Sequence, residues 1–183
     1  NTGAVCAWDQ PGPDATIQTF DTPTAAYAAN FSIVHCGACG ECSTWNDLTL
    51  QWTTRHDLAL RSQQCAKQSL FGGGVDTVQM CNRDQIGFTD QCAWCWTNDE
   101  LCAIQHCIFV FLQGIIINKL TNFSVGPGDI TSATCDEAMC GPVFAPCSGA
   151  IRRRMNIQSS IARPEYQECQ IIEQDWATVF NHP

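Results

Sequence analysis

Thr97-Asn98-Asp99-Glu100-Leu101-Cys102-Ala103-Ile104-Gln105-His106-Cys107-Ile108-Phe109-Val110-Phe111-Leu112 is the stretch on which the reading of this chain turns. Thr97 followed three residues later by Glu100 has the form of a capping box, in which each side chain satisfies a backbone N–H at a helix start. Asp99 and Glu100 would meet the positive end of the helix dipole. Leu101, Ile104, Ile108, Phe111, Leu112 and Ile115 then recur at helical spacing. Phe109, Val110, Ile116 and Ile117 are apolar too, so the predicted helix is buried on most sides and forms the centre of the core. The apolar run from Cys107 to Ile117 is broken by Gln113 and Gly114 and falls short of the roughly 20 residues a bilayer demands. No membrane insertion is expected.

Upstream, a helix is predicted over about Thr54 to Leu70. Thr54 and Asp57 suit its cap, Leu58 and Cys65 its buried face, and Gly72-Gly73-Gly74 its stop. Downstream, Asn122 to Thr131 reads as a Gly- and Pro-containing loop. Thr134-Cys135-Asp136-Glu137 restarts a helix that Gly141-Pro142 breaks. Another helix is expected from Val143 or Pro146 through Arg154, and a last one from Pro164 through Cys169, Ile171, Ile172 and Trp176. Residues 1–34 hold one cysteine and scattered apolar residues among turn-forming ones, and read as an extended arm. The expected fold is mainly α with short extended segments. It is a small, disulfide-rich secreted fold with an extended N-terminal arm (1–34) and a cysteine-rich, mostly helical globular domain (35–183).

Cysteine sets the compartment. The chain has 14, an even number: Cys6, Cys36, Cys39, Cys42, Cys65, Cys81, Cys92, Cys95, Cys102, Cys107, Cys135, Cys140, Cys147 and Cys169. All are expected in disulfides, because in a cytosolic chain so many thiols would demand metal clusters or else risk oxidation. Asn30-Phe31-Ser32 and Asn122-Phe123-Ser124 are acceptor tripeptides, so Asn30 and Asn122 are expected to carry N-linked glycans. With no leader ahead of it, Asn1 reads as a mature terminus after signal removal. The net charge of −9 argues against nucleic acid as a partner.

Several arrangements invite chemistry. Cys36, Cys39 and Cys42 have the spacing of a metal-binding loop, but an iron–sulfur run would want a fourth cysteine where Asn46 stands. Glycines at 37 and 40 instead let neighbouring cysteines turn to different partners. Cys92 and Cys95 have the spacing of thiol–disulfide exchange enzymes, with Cys95 just ahead of the predicted cap; staples packed by Trp94 and Trp96 are the favoured reading. Four histidines (His35, His56, His106 and His182) come with no nucleophile elbow, and His56 beside Asp57 would point to a different helix face. Asp99, Glu100, Asp136 and Glu137 could supply a carboxylate pair. Arg152-Arg153-Arg154 is the one basic run: an anion or sulfated-glycan site, or a counterweight to surplus carboxylates, which is the favoured reading. Nothing calls for a cofactor or a metal.

The chain resembles an uncharacterised family of cysteine-rich extracellular proteins predicted in algae and other protists. The resemblance rests on His-Cys-Gly-Ala-Cys-Gly-Glu-Cys-Ser at 35–43, Gly87-Phe88-Thr89 with Cys92, Cys95 and Trp96, and Cys135-Asp136-Glu137 with Cys140-Gly141-Pro142 and Phe144. Cys147, Gly149-Ala150 and Arg152-Arg153-Arg154 complete it. It covers about 35–169 and implies secretion and a shared staple pattern, with no catalytic residues. The expected function is that of an extracellular structural protein, a subunit of a glycosylated surface fibril or coat, whose N-terminal arm contacts a neighbouring copy of itself. The alternatives are a glycan-binding module with Trp45, Trp52, Trp94 or Trp96 as stacking platform, and a secreted hydrolase.

Overall fold

The computed structural model describes residues 3–70, 72–121, 130–159, 161 and 164–180, with the backbone alone over 111–121 and 130–133. The fold is mainly helical, with three short strands, and none of the fourteen cysteines is free. Contacts group it into two compact units. One gathers Asn1–Arg55, Ala145–Ser159 and Arg163–Pro183; the other holds His56–Phe144 with Ser160–Ala162.

The first unit is built on the N-terminal stretch. Strand β1 (Val5–Trp8) lies between β2 (Ile17–Phe20) and β3 (Ser32–Cys36), antiparallel to both. Residues 1–34 are thus extended in part, as their composition suggests, but not loose. All four residues of β1 are buried, and the compact unit continues through Arg55 with no boundary at residue 34. Short strands with polar interruptions carry little periodic signal, so burial here comes from distant partners. A short helix α1 (Pro23–Ala28), capped by Thr22, links β2 to β3. Helix α2 (Trp45–Thr53), capped by Thr44, was not anticipated.

Aromatic rings close the unit. Trp8 is fully buried, with ring centroids 5.8 Å from Trp45, 5.9 Å from Trp176 and 6.5 Å from Phe180. Trp176 and Phe180 belong to helix α8 (Trp176–Phe180), and Trp176 Nε1 donates to the Met155 carbonyl at 2.7 Å. The bridges Cys6–Cys39 and Cys36–Cys169 tie the sheet to the following loop and to the C-terminal segment. Trp8→Ala removes the ring at the centre of this cluster. It should lower stability by about 3–5 kcal/mol, read from a urea melt by tryptophan fluorescence.

The second unit is helical: α3 (Leu58–Leu70), α4 (Val75–Cys81), a π-helical turn (Asn82–Ile86), α5 (Asp90–Thr121) and α6 (Ile130–Met139). Leu58 and Cys65 are buried on α3 as expected, though the helix starts at Leu58 rather than Thr54. Cys65–Cys81 joins α3 to α4, while Cys102–Cys140 and Cys107–Cys135 clamp α5 to the α6 segment. The central helix is longer than predicted. It starts after Gly87, whose φ of 104° turns the chain, and Asp90 supplies the acid of its first turn. Thr97 is therefore no cap but a fully buried residue inside the helix, and Cys95 lies inside it too. Nor is the helix buried all round, since Phe109 is 82 % exposed. Trp96 is covered by Phe88, stacked at 5.1 Å, and by Phe144 edge-on at 5.1 Å.

Beyond α6 the chain forms α7 (Gly141–Ser148), a left-handed turn at Gly149, and 3-10 helices at Arg152–Met155 and Glu165–Gln167. The two long helices expected here are replaced by these short pieces. Among the described residues, no helix is long and apolar enough to cross a membrane.

Candidate functional site

The block His35–Ser43 and the segment Cys147–Gly149 are pressed together backbone to backbone. Glu41 N donates to the Cys147 carbonyl at 2.8 Å and Cys42 N to the Ser148 carbonyl at 2.9 Å. A Cβ on Gly40 would lie 2.5 Å from the Cys147 oxygen, and one on Gly149 would run into the backbone of Gly40. Gly149 also has a φ of +68°. Only glycine fits at both positions.

Inside this clasp His35 Nε2 lies 2.8 Å from Ser43 Oγ, the geometry of a base beside a nucleophile. The surroundings show another role. His35 Nδ1 lies 3.0 Å from the Cys36 carbonyl, to which it must donate, so Nε2 accepts from the Ser43 hydroxyl. The Ser43 oxygen in turn accepts from Gly40 N at 2.9 Å. Both side chains are buried, His35 completely. Burial holds the His35 ring at a pKa of about 4, assisted by the nearby charge of Arg154. A neutral imidazole with both nitrogens committed is a clip, shut away from any substrate.

In the second unit the polar residues read as a helix cap form a buried layer. Glu100 Oε1 accepts from Ser62 Oγ at 2.5 Å and Oε2 from Asn82 Nδ2 at 2.9 Å; Asn82 Nδ2 also reaches Thr97 Oγ1 at 3.2 Å. Across from α5, Asp136 on α6 faces Asp99. Oxygens of these two carboxyls and Cys140 Sγ lie within 4.8 Å of one another. Burial pushes the Glu100 carboxyl up to about 8, against the opposing effect of its two hydrogen bonds. Burial raises Asp99 and Asp136 as well, reinforced by the neighbouring charge of Asp136 at Asp99 and of Glu137 at Asp136. The trio does not suit a metal, because the Cys140 sulfur is spent in its bridge to Cys102. Asp99 Oδ1 and Asp136 Oδ1 are both buried without a hydrogen-bond partner among the described residues.

The third feature is a cleft of about 660 Å³ in the first unit. Its walls include Gly37, the Cys36–Cys169 bridge, Arg153, Arg154 and the segment Tyr166–Ile171. Arg154 Nη1 donates to the carbonyls of Ala145 at 2.8 Å and Gly149 at 3.2 Å. Arg152 Nη1 donates to the Arg55 carbonyl at 3.2 Å. Through these three bonds Arg152 and Arg154 anchor backbone. Tyr166, Glu168 and Gly37 had no signal in the sequence as partners of the arginines.

The remaining expectations sort quickly. Cys36 and Cys39, three residues apart, do pair with different partners, Cys169 and Cys6, and Cys42, Cys92, Cys95 and Cys147 are also disulfide-bonded. His56 and His106 are exposed residues of the second unit, His35 belongs to the first, and His182 lies outside the described residues. Of the tryptophans proposed as a platform, Trp45 belongs to the aromatic cluster, Trp52 is covered by the Arg55 guanidinium at 3.9 Å, and Trp96 is buried. Trp94 alone of the four is 44 % exposed. Asn30 is exposed in a left-handed turn (φ 60°), open to a glycan, whereas Asn122 lies outside the described residues.

Fold and clusters together define a mainly helical protein, stapled throughout by disulfides, in which the buried His35–Ser43 and Asn82–Thr97–Glu100 groups hold elements together. The chain belongs to a family of unknown function, DUF8771, whose model matches residues 75–171. That span takes in α4 to α7, the Asp99–Asp136 pair and the arginine wall of the cleft. No curated protein and no solved structure matches the chain.

Proposed function

We propose that this chain is a secreted structural protein that assembles with copies of itself, as the subunit of a glycosylated extracellular fibril or coat. The observation that carries the reading is strand β2. Among the described residues it pairs with a strand on one side only, its four residues Ile17–Phe20 carry no charge, and Gln18 and Thr19 are exposed. Edge strands in soluble monomers are ordinarily blunted by charge, proline or a bulge, because unpaired backbone groups recruit further strands. The other edge, β3, is buried over Ile33–His35, so β2 is the open one. Strand addition there gives a head-to-tail contact, which propagates into filaments when it does not close. The N-terminal segment thus makes the contact without leaving its own sheet. Complete disulfide pairing and the exposed Asn30 suit an oxidising extracellular setting.

Gln18→Lys places a charge on the edge while touching no core residue. Wild-type protein should sediment as polymer and the variant as a 20.1 kDa monomer with unchanged circular dichroism. A wild type that stays monomeric at every concentration, or a variant that polymerises equally well, refutes the proposal.

A further inference from the structure

We infer that the cleft beside the Cys36–Cys169 bridge binds an anionic saccharide, whose sulfate or carboxylate group is held by the Arg154 guanidinium with Arg153 alongside. The volume, about 660 Å³, is in the range of small-ligand clefts and far exceeds the need of a bare ion. Arg154 is the decisive residue. Its hydrogen bonds use Nη1 alone, on the carbonyls of Ala145 and Gly149, and no carboxylate pairs with it among the described residues. Burying an arginine in part without an acid is costly, and a second positive charge beside it adds to the cost. Burial and the neighbouring Arg153 hold the Arg154 pKa below the usual arginine range. An oxyanion entering the cleft offsets both penalties and meets the two-pronged donor face that guanidinium presents to sulfate and carboxylate.

The seat is built for that group. Gly37 lines the cleft with φ +86°, and a Cβ there would stand 3.1 Å from Arg154 Nη1, so glycine leaves room for the guanidinium. The Cys36–Cys169 bridge fixes the two walls to each other, which lowers the cost of ordering a ligand. On the rim the Tyr166 ring is 83 % exposed, a flat apolar surface of the kind that stacks on a sugar ring, next to the amides of Gln167 and Gln170. A polar rim, one open aromatic ring and a forked cation favour a charged sugar over a lipid or an apolar cofactor. The chain's net charge of −9 gives no long-range attraction, so recognition must come from short contacts inside the cleft.

Titration calorimetry with four probes tests the inference: a sulfated heparin disaccharide, digalacturonate, neutral maltose and inorganic sulfate. One or both anionic probes should bind and maltose should not; which of the two binds tells sulfate from carboxylate. Arg153→Gln should weaken binding by roughly tenfold. Tyr166→Ala should weaken the saccharides while leaving inorganic sulfate unaffected, and a matching thermal melt confirms that both variants are folded. No heat from either anionic probe, equal binding of maltose, or full affinity in folded Arg153→Gln overturns it.

Discussion

Gly149→Ala should leave the first unit unable to close, with a loss on the order of 4 kcal/mol or more and a collapse in the yield of folded protein. Two separate penalties meet at that position. The residue has φ +68°, a conformation that costs a side-chain-bearing residue about 1–2 kcal/mol by itself. The added Cβ would also lie 2.7 Å from Ser43 Oγ and 2.8 Å from Gly40 Cα, and backbone cannot yield as a flexible side chain does. Relief requires separating the two segments. That would break the bonds from Glu41 and Cys42 to Cys147 and Ser148, and with them the His35–Ser43 clip. Gly74→Ala is the control, since a Cβ there meets nothing within 4 Å and the backbone φ is −68°. The test is a pair of urea melts with disulfide mapping. A Gly149→Ala protein that melts within about 1 kcal/mol of the control would show that the contact between the segments is dispensable.

Acidification should strengthen the second unit, and alkali should weaken it. Glu100 has a folded pKa of about 8 against an ordinary value of 4.5, so between those values the folded state holds a proton that the unfolded chain has given up. The stabilisation is complete below about pH 4.5 and is lost as pH rises through about 8. Asp99 and Asp136 shift in the same direction and add to the slope. Glu100→Gln imitates the protonated acid: its carbonyl can accept from Asn82 and its amide can donate to Ser62. The variant should be more stable than wild type at about pH 8.5, by on the order of 3 kcal/mol, and its stability should vary less with pH. Chemical denaturation followed at several pH values measures both slopes. A wild-type stability that is flat from about pH 5 to 8.5 would remove the idea of a buried, protonated layer.

These two results bear on how much of the molecule can be read from its residues. Leu58 and Cys65 on α3, and the helical character of the run after Thr97, follow from spacing alone. The Thr97–Glu100 box did not, because the same residues serve a cap or a buried polar layer. What decides is whether Ser62 and Asn82 stand opposite, 35 and 15 residues away from Thr97 in the chain. The sheet was hidden for a related reason. Val5–Trp8 is only four residues long, and its burial depends on Trp45, Trp176 and Phe180, which no local pattern joins to it. The cleft was half legible. The arginine triplet draws attention by its charge, whereas Gly37 and Tyr166 reach it through the fold and through the Cys36–Cys169 bridge.

That bridge has a consequence for biogenesis. Its cysteines are 133 residues apart, while those of Cys65–Cys81, Cys107–Cys135 and Cys102–Cys140 are separated by 16, 28 and 38. In oxidative folding, these three short-range links can close while Cys36 still awaits its distant partner Cys169. Loop closure grows costlier with length, which further delays the long link. Until that link closes Cys36 is a free thiol within reach of wrong partners, and an oxidoreductase that shields or reshuffles that sulfur would raise the yield of native protein.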